Sequence, residues 1–161
     1  MSEIFVVDPS FMVVSGGQTG ADRAGLDWAI AAGIPYGGWC PKGRRSEDGE
    51  IPSTYALKET PGSGYLKRTE WNVRDSDATL IFTLDDALSG GSARTAQFAD
   101  AHGKPWLHVR PSVHPQYVAR FLARHRVRVL NIAGKRGSAA PGIADLVHIV
   151  LSASIRFDNV S

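Results

Sequence analysis

Short, unbroken apolar runs alternate with helical patterns along most of this chain, and that alternation constrains its fold more than any other feature. The runs are residues 11–15 (FMVVS), 78–84 (ATLIFTL), 106–109 (WLHV) and 127–132 (VRVLNI). A strand buried on both faces reads as a continuous apolar run, whereas a half-exposed strand alternates. Helical stretches fall between the runs. Leu26, Ala29, Ile30 and Gly33 stand at i, i+3, i+4 and i+7, which makes one face apolar. Thr19 or Asp22 is the expected cap of that helix, and Gly33 with Pro35 its stop. Further helices are expected over 65–74 and 93–102. Pro115 starts another, with Val118, Phe121, Leu122 and His125 on one face, and Pro141 opens a last one carrying Ile143, Leu146, Val147, Val150 and Leu151.

Strands alternating with helices predict an α/β fold: an open, doubly wound, mostly parallel sheet with helices on both faces. The 161 residues, 43% of them hydrophobic, suit a single domain over 1–161 with its core over about 11–153, and are too few for a barrel of eight units. Residues 36–67 break the pattern. They carry Gly37, Gly38, Gly43, Gly49, Gly62 and Gly64 with Pro41, Pro52 and Pro61, and read as a long irregular insertion with a short strand near residues 36–40. So long a loop is either functional or a solvated excursion.

Composition narrows the function classes. A single cysteine, Cys40, excludes an internal disulfide framework and makes a cytoplasmic location the default. No apolar run approaches the ~20 residues a bilayer requires, and the acidic start MSEIFVVDPSF is no secretory signal. A formal net charge of +2 gives no reason to expect nucleic acid. The five histidines show no paired spacing, so no zinc site is expected, and G-x-S-x-G is absent. His108, alternating with Leu107 and Val109, reads as structural.

In a doubly wound sheet, ligands bind beyond the carboxyl ends of the strands. That rule selects three loops, 15–22, 85–95 and 131–138, all rich in Gly, Ser or Thr. Glycines let backbone approach a ligand, and a helix start offers free N–H groups and partial positive charge to an anion. Gly16, Gly17, Gln18, Thr19 and Gly20 form one candidate cradle. Gly90, Gly91, Ser92 and Thr95 form a second, and Gly134, Lys135, Arg136, Gly137 and Ser138 a third. The first matches neither G-x-G-x-x-G nor G-x-x-x-x-G-K-[ST]. Its Asp22 has two readings: an acid that suits the positive end of a helix, or a carboxylate that accepts ring N–H or ribose hydroxyl groups. In CPKGRRSEDG, Lys42, Arg44 and Arg45 precede Glu47, Asp48 and Glu50. The run reads as a solvated loop or as forked donors for an oxyanion. Glu70 and Arg74 have the spacing of an ordinary helix ion pair.

The blocks SGGQTGADRAGLDWAI, GGWCPKGRRSEDGEIP, RTEWNVRDSDATLI and LNIAGKRGSAAPGI resemble the molybdenum carrier family, from about Val13 to Leu151. That family is similar to the algal molybdenum cofactor carrier protein and belongs with the lysine-decarboxylase-like (LOG) and DprA proteins. The resemblance implies a Rossmann-like fold, a homodimer or homotetramer, and a strand-end pocket for molybdenum cofactor, a phosphate-bearing pterin with a metal dithiolene. LOG phosphoribohydrolases carry PGGxGTxxE, and here Gln97 stands at the glutamate position, which argues for binding without turnover. The expectation is therefore a carrier of a phosphate-bearing pterin or nucleotide-like small molecule. Its contacts are expected at Gly16, Gly17, Gln18, Thr19, Gly20, Asp22, Gly90, Gly91, Ser92 and Thr95, with Lys42 or Arg45 closing over the phosphate. No residue is given a catalytic or metal-binding role. The alternative is a nucleotide or ribosyl-bond hydrolase working through Asp22.

Overall fold

A computed structural model describes residues 3–158; residues 1–2 and 159–161, the ends of the expected domain, lie outside the described residues. In chain order the elements are β1 (Phe5–Val7), β2 (Met12–Val14), α1 (Ala21–Ala32), β3 (Tyr36–Gly37), β4 (Trp39–Cys40), β5 (Arg45–Ser46), β6 (Gly49–Glu50), β7 (Lys58–Glu59), α2 (Tyr65–Arg74), β8 (Ala78–Phe82), α3 (Gly90–Ala101), β9 (Trp106–Val109), α4 (Pro115–Arg124), β10 (Val129–Gly134), α5 (Ile143–Ser154) and β11 (Ile155–Phe157).

The central sheet has five parallel strands in the order β3-β2-β10-β8-β9. Its interior strands are the continuous apolar runs of the sequence, and every residue of β8 is buried. Helix α5 packs against both α1 and α4, while α2 packs on α3, so two helical layers enclose the sheet. The fold is α/β and Rossmann-like, with one rearrangement. The strand at the centre of the sheet, β10, is the last of the five along the chain. Counting from β10 and continuing through β2, β3, β8 and β9 gives the order 3-2-1-4-5 of a doubly wound sheet. The two ends of the described chain meet in a separate parallel pair, β1 with β11, and Asp158 N donates to Val7 O at 2.8 Å. That pair extends beyond the core expected over 11–153.

Helix α1 buries part of its expected face and more besides. Leu26 and Ala29 are buried as expected and are joined by Ala21, Ala24, Gly25 and Trp28, whereas Ile30 is 45% exposed. The small residues allow the closest approach to the sheet: a Cβ at Gly25 would lie 2.8 Å from Ile132 Cβ. Its cap also differs. Gly20, at φ 83°, occupies the N-cap without a side-chain bond, and Thr19 Oγ1 instead accepts from Gly137 N at 3.0 Å. Gly33 closes the helix in the left-handed region, as expected. The 36–67 segment is more ordered than its composition suggests. Arg44 donates to the carbonyls of Ile51 (3.2 Å), Pro52 (2.8 Å) and Tyr55 (2.7 Å) and pins the loop to itself.

Candidate functional site

A cavity of about 390 Å³ opens at the carboxyl ends of β2, β10 and β8. Strand order reverses there, because β2 leads through α1 to one edge of the sheet and β8 leads through α3 to the other. All three candidate loops reach it. Of the expected contacts, Gly16, Gln18, Asp22, Gly90, Gly91, Ser92 and Thr95 line the cavity. Gly17, Thr19 and Gly20 do not, and Lys42 and Arg45 are exposed residues away from it. Gln97 is exposed on α3 and also does not line the cavity, so its amide does not face the ligand space.

The first loop is closed on itself. Gly17 N donates to Ser15 Oγ (3.4 Å), Thr19 N to its neighbour Gln18 Oε1 (3.0 Å), and Ala21 N to Lys135 O (3.1 Å). Asp22 is buried and pairs with buried Arg68, Nη1 to Oδ2 at 3.2 Å. Arg68 Nη1 also donates to Gly16 O at 3.3 Å, and its side chain fills the space a Cβ at Gly16 would need. Burial lifts the Asp22 carboxyl from its ordinary 3.8 to about 6, against the opposing pull of Arg68, the Gln18 and Gly16 amides and Arg23.

The second loop is open. Ser89 occupies the N-cap of α3 without capping it, and its hydroxyl accepts from Lys135 Nζ at 2.9 Å. The N–H groups of Ser92 and Ala93 turn back to Ser89 O (3.1 and 3.3 Å). Those of Gly90 and Gly91 stand at the helix start, where no intrahelical acceptor exists. Ser92 Oγ is buried without a hydrogen-bond partner. A buried hydroxyl without a partner is costly, and in a cavity wall it marks a place where a ligand can supply the missing bond. The cations lining the cavity are Arg68, Arg94, Lys135 and Arg136, against one acid, Asp22. Arg68 is paired internally, and Arg136 is drawn toward Glu47 at 3.5 Å.

Two groups of residues take places at the site that the sequence does not assign them. Arg68 and Asn72, four apart on α2, are buried polar residues on one face; Asn72 pairs with the backbone of Trp39 in both directions (2.8 and 2.9 Å). Their spacing was visible, but nothing local marked them as inward-facing. Glu47, which the sequence shows only as part of a charged run, is the second. Its carboxylate accepts from Ser138 N (3.0 Å) and Ser138 Oγ (2.7 Å), and its N–H donates to Gln18 Oε1 (2.9 Å). Asp48 pairs with Arg23 at 2.7 Å. The acids of the SEDGE run therefore bridge the first and third loops. The expected Glu70–Arg74 pair does not form: Arg74 takes adjacent Asp75 at 2.8 and 3.0 Å, and Glu70 meets His102 at 3.1 Å. His108 sits in β9 against Thr83 Oγ1 at 2.6 Å. Among the described residues no group of three or more His, Cys, Asp or Glu side chains could hold a metal ion. No helix among them is long and apolar enough to cross a membrane.

Fold and site together define a Rossmann-like protein with permuted strand order and a basic cavity at the switch point. The chain belongs to the circularly permutated YpsA SLOG family, which it matches over residues 13–155. It is similar to a solved structure from Syntrophus aciditrophicus, named as a putative molybdenum carrier protein. The two share 47% identity over 90% of this chain and 95% of that one, at a TM-score of 0.85. A second structure, (E)-4-hydroxy-3-methyl-but-2-enyl diphosphate reductase, aligns at a TM-score of 0.40 and 13% identity over 88% of this chain and 59% of that one, too loosely to bear on function. No curated protein matches the chain.

Proposed function

We propose that this protein is a carrier that binds a phosphate-bearing pterin, molybdenum cofactor, in the switch-point cavity. The observation that carries the reading is the open start of α3. Gly90 and Gly91 offer N–H groups there, Ser92 Oγ lacks a partner, and the Lys135 ammonium stands 2.9 Å from the capping residue's hydroxyl. This set suits a terminal phosphate, since a helix start, an ammonium and a free hydroxyl each stabilise added negative charge. The ring would lie against other lining residues, among them Tyr65, Arg68 and Asn131. A cavity of about 390 Å³ lies within the usual range for small-molecule sites. The metal would be held by sulfur atoms of the cargo itself, since the lining residues include no cysteine or histidine. The 47% identical relative, named as a putative molybdenum carrier protein, supports the same reading.

The test is anaerobic purification followed by mass spectrometry of the released small molecules, together with thermal shift. A pterin phosphate is expected to copurify and to raise the melting temperature, while molybdate alone does not. No shift with saturating cofactor or pterin phosphates would refute the carrier. One observation favours a second reading, a nucleotide or ribosyl-bond hydrolase: the Asp22 carboxyl, at about 6, lies close to the range of a working acid or base. Release of base or phosphate from a nucleotide panel by wild type, lost in Asp22→Asn, is the result that would establish it.

A further inference from the structure

The first glycine loop has the residues of an anion cradle but not the vacancy of one. Its amides at Gly17, Thr19 and Ala21 are already taken by Ser15 Oγ, Gln18 Oε1 and Lys135 O. A cation, Arg68, does reach it, and that cation is only 8% exposed. What Arg68 meets there is an anion of the protein's own, the Asp22 carboxylate at 3.2 Å, also 8% exposed. Both residues line the cavity, so the pair faces the ligand without being buried beneath it. A buried guanidinium needs a counter-charge, and a phosphate would serve as well as a carboxylate.

We propose that Asp22 is a specificity-determining residue: its carboxylate, paired with Arg68, stands in for a second ligand anion at the first glycine loop. The cavity then takes ligands with one anionic end and rejects those with anionic groups at both ends. This rests on the reading above that the ligand's phosphate sits at α3. A second phosphate near Gly16 would face the Asp22 charge across a short, partly desolvated distance, where like charges repel strongly. The charged groups acting on Asp22 are Arg68 from α2 and Arg23 from its own helix. Removing the Asp22 charge leaves Arg68 without a counter-ion and turns the first loop into a second anion site.

Selenate is the probe, because it stays doubly charged from pH 5 to pH 8 and its position can be seen by anomalous diffraction. Crystals of the wild-type protein soaked at pH 8 are expected to show no selenate at Arg68. Asp22→Asn crystals soaked in the same way are expected to show it there, within hydrogen-bonding distance of the guanidinium. If the variant does not fold, wild-type crystals soaked at pH 5 replace it, because protonation of Asp22 removes the same charge. Selenate at Arg68 in the wild type at pH 8 overturns the inference. So does its absence from Arg68 both in the variant and at pH 5. The peak at α3 reports separately on the carrier reading. Its absence beside a selenate gained at Arg68 would refute the phosphate placement and leave standing only that Asp22 keeps an anion off Arg68.

Discussion

The buried Asp22–Arg68 pair gives the stability of this protein an unusual pH dependence. Most paired carboxylates have depressed pKa values and stabilise the folded state above pH 4. For Asp22 the cost of burial outweighs the attraction of Arg68, and its carboxyl rises from 3.8 to about 6. The folded state therefore holds a proton that the unfolded chain has released between these values. Its contribution is fully present below about pH 4 and is lost as the pH rises through about 6. Two pKa units at about 1.4 kcal/mol each make the loss about 3 kcal/mol. Every other carboxyl contributes its own pH dependence, so the comparison that isolates Asp22 is wild type against Asp22→Asn, whose amide does not titrate. Urea unfolding followed by tryptophan fluorescence at pH 4, 5, 6, 7 and 8 measures both. The wild type is expected to lose most of that ~3 kcal/mol, about 2 kcal/mol or a little more, relative to the variant between pH 4 and pH 7, whatever their offset at any one pH. Parallel profiles, or a wild type that gains on the variant as the pH rises, would refute the assignment of burial as the dominant force on this carboxyl.

Three other perturbations test the remaining parts of the argument. Ser92→Val removes a buried hydroxyl without a partner, so the ligand-free protein is expected to keep or gain stability while pterin phosphate binding falls roughly tenfold by calorimetry. Gly25→Ala improves helix propensity by about 1 kcal/mol but drives a methyl into Ile132; a net destabilisation of about 1–2 kcal/mol is expected in urea, and Ile132→Val, which keeps the Cβ, Cγ1 and Cγ2 that the methyl meets, is expected to leave it unrelieved. Glu47→Ala cuts the bonds from the β5–β6 hairpin to Ser138 and weakens the hold on Arg136, so a lower melting temperature and faster proteolysis within 44–50 are expected; unchanged digestion would show that the hairpin is held by other contacts.

The sequence carried most of the framework, for reasons that differ from element to element. Helix α2 and strand β9 lie where periodicity and apolar runs put them, and Pro115 opens α4 with His114 Nδ1 accepting from Gln116 N at 3.1 Å. These are local signals. The pair β1 and β11 escaped because three residues are too few for a period, and the two strands pair across the length of the chain. On α1, Leu26 and Ala29 lie inward as read, but Ala24 and Gly25 go unread because small residues register weakly as apolar, although they permit the tightest packing. In the cavity, the glycine loops were legible, but which of them is open was not. That depends on partners far away in sequence: Lys135 O for Ala21 N, the Arg68 guanidinium for the Asp22 carboxylate, and Ser89 Oγ for Lys135 Nζ. Motif spacing cannot report whether a donor has already found its partner.

The permuted order explains how one open cradle arises from three similar loops. Because β10 sits between β2 and β8, the loop that follows it lies between the other two and can serve both. Its backbone goes one way: Lys135 O closes the start of α1, and Gly137 N binds Thr19. Its side chain goes the other way: Lys135 Nζ reaches Ser89 and brings positive charge to the start of α3. Helix α5 begins only at Ile143, several residues past that loop, with Gly142 rather than a strand end at its N-cap. One residue, Lys135, thus helps to shut one helix start and to charge another. The asymmetry follows from where the central strand's loop must run: it leaves the unpaired donors at Gly90, Gly91 and Ser92, while Asp22 neutralises the cation left at the first loop.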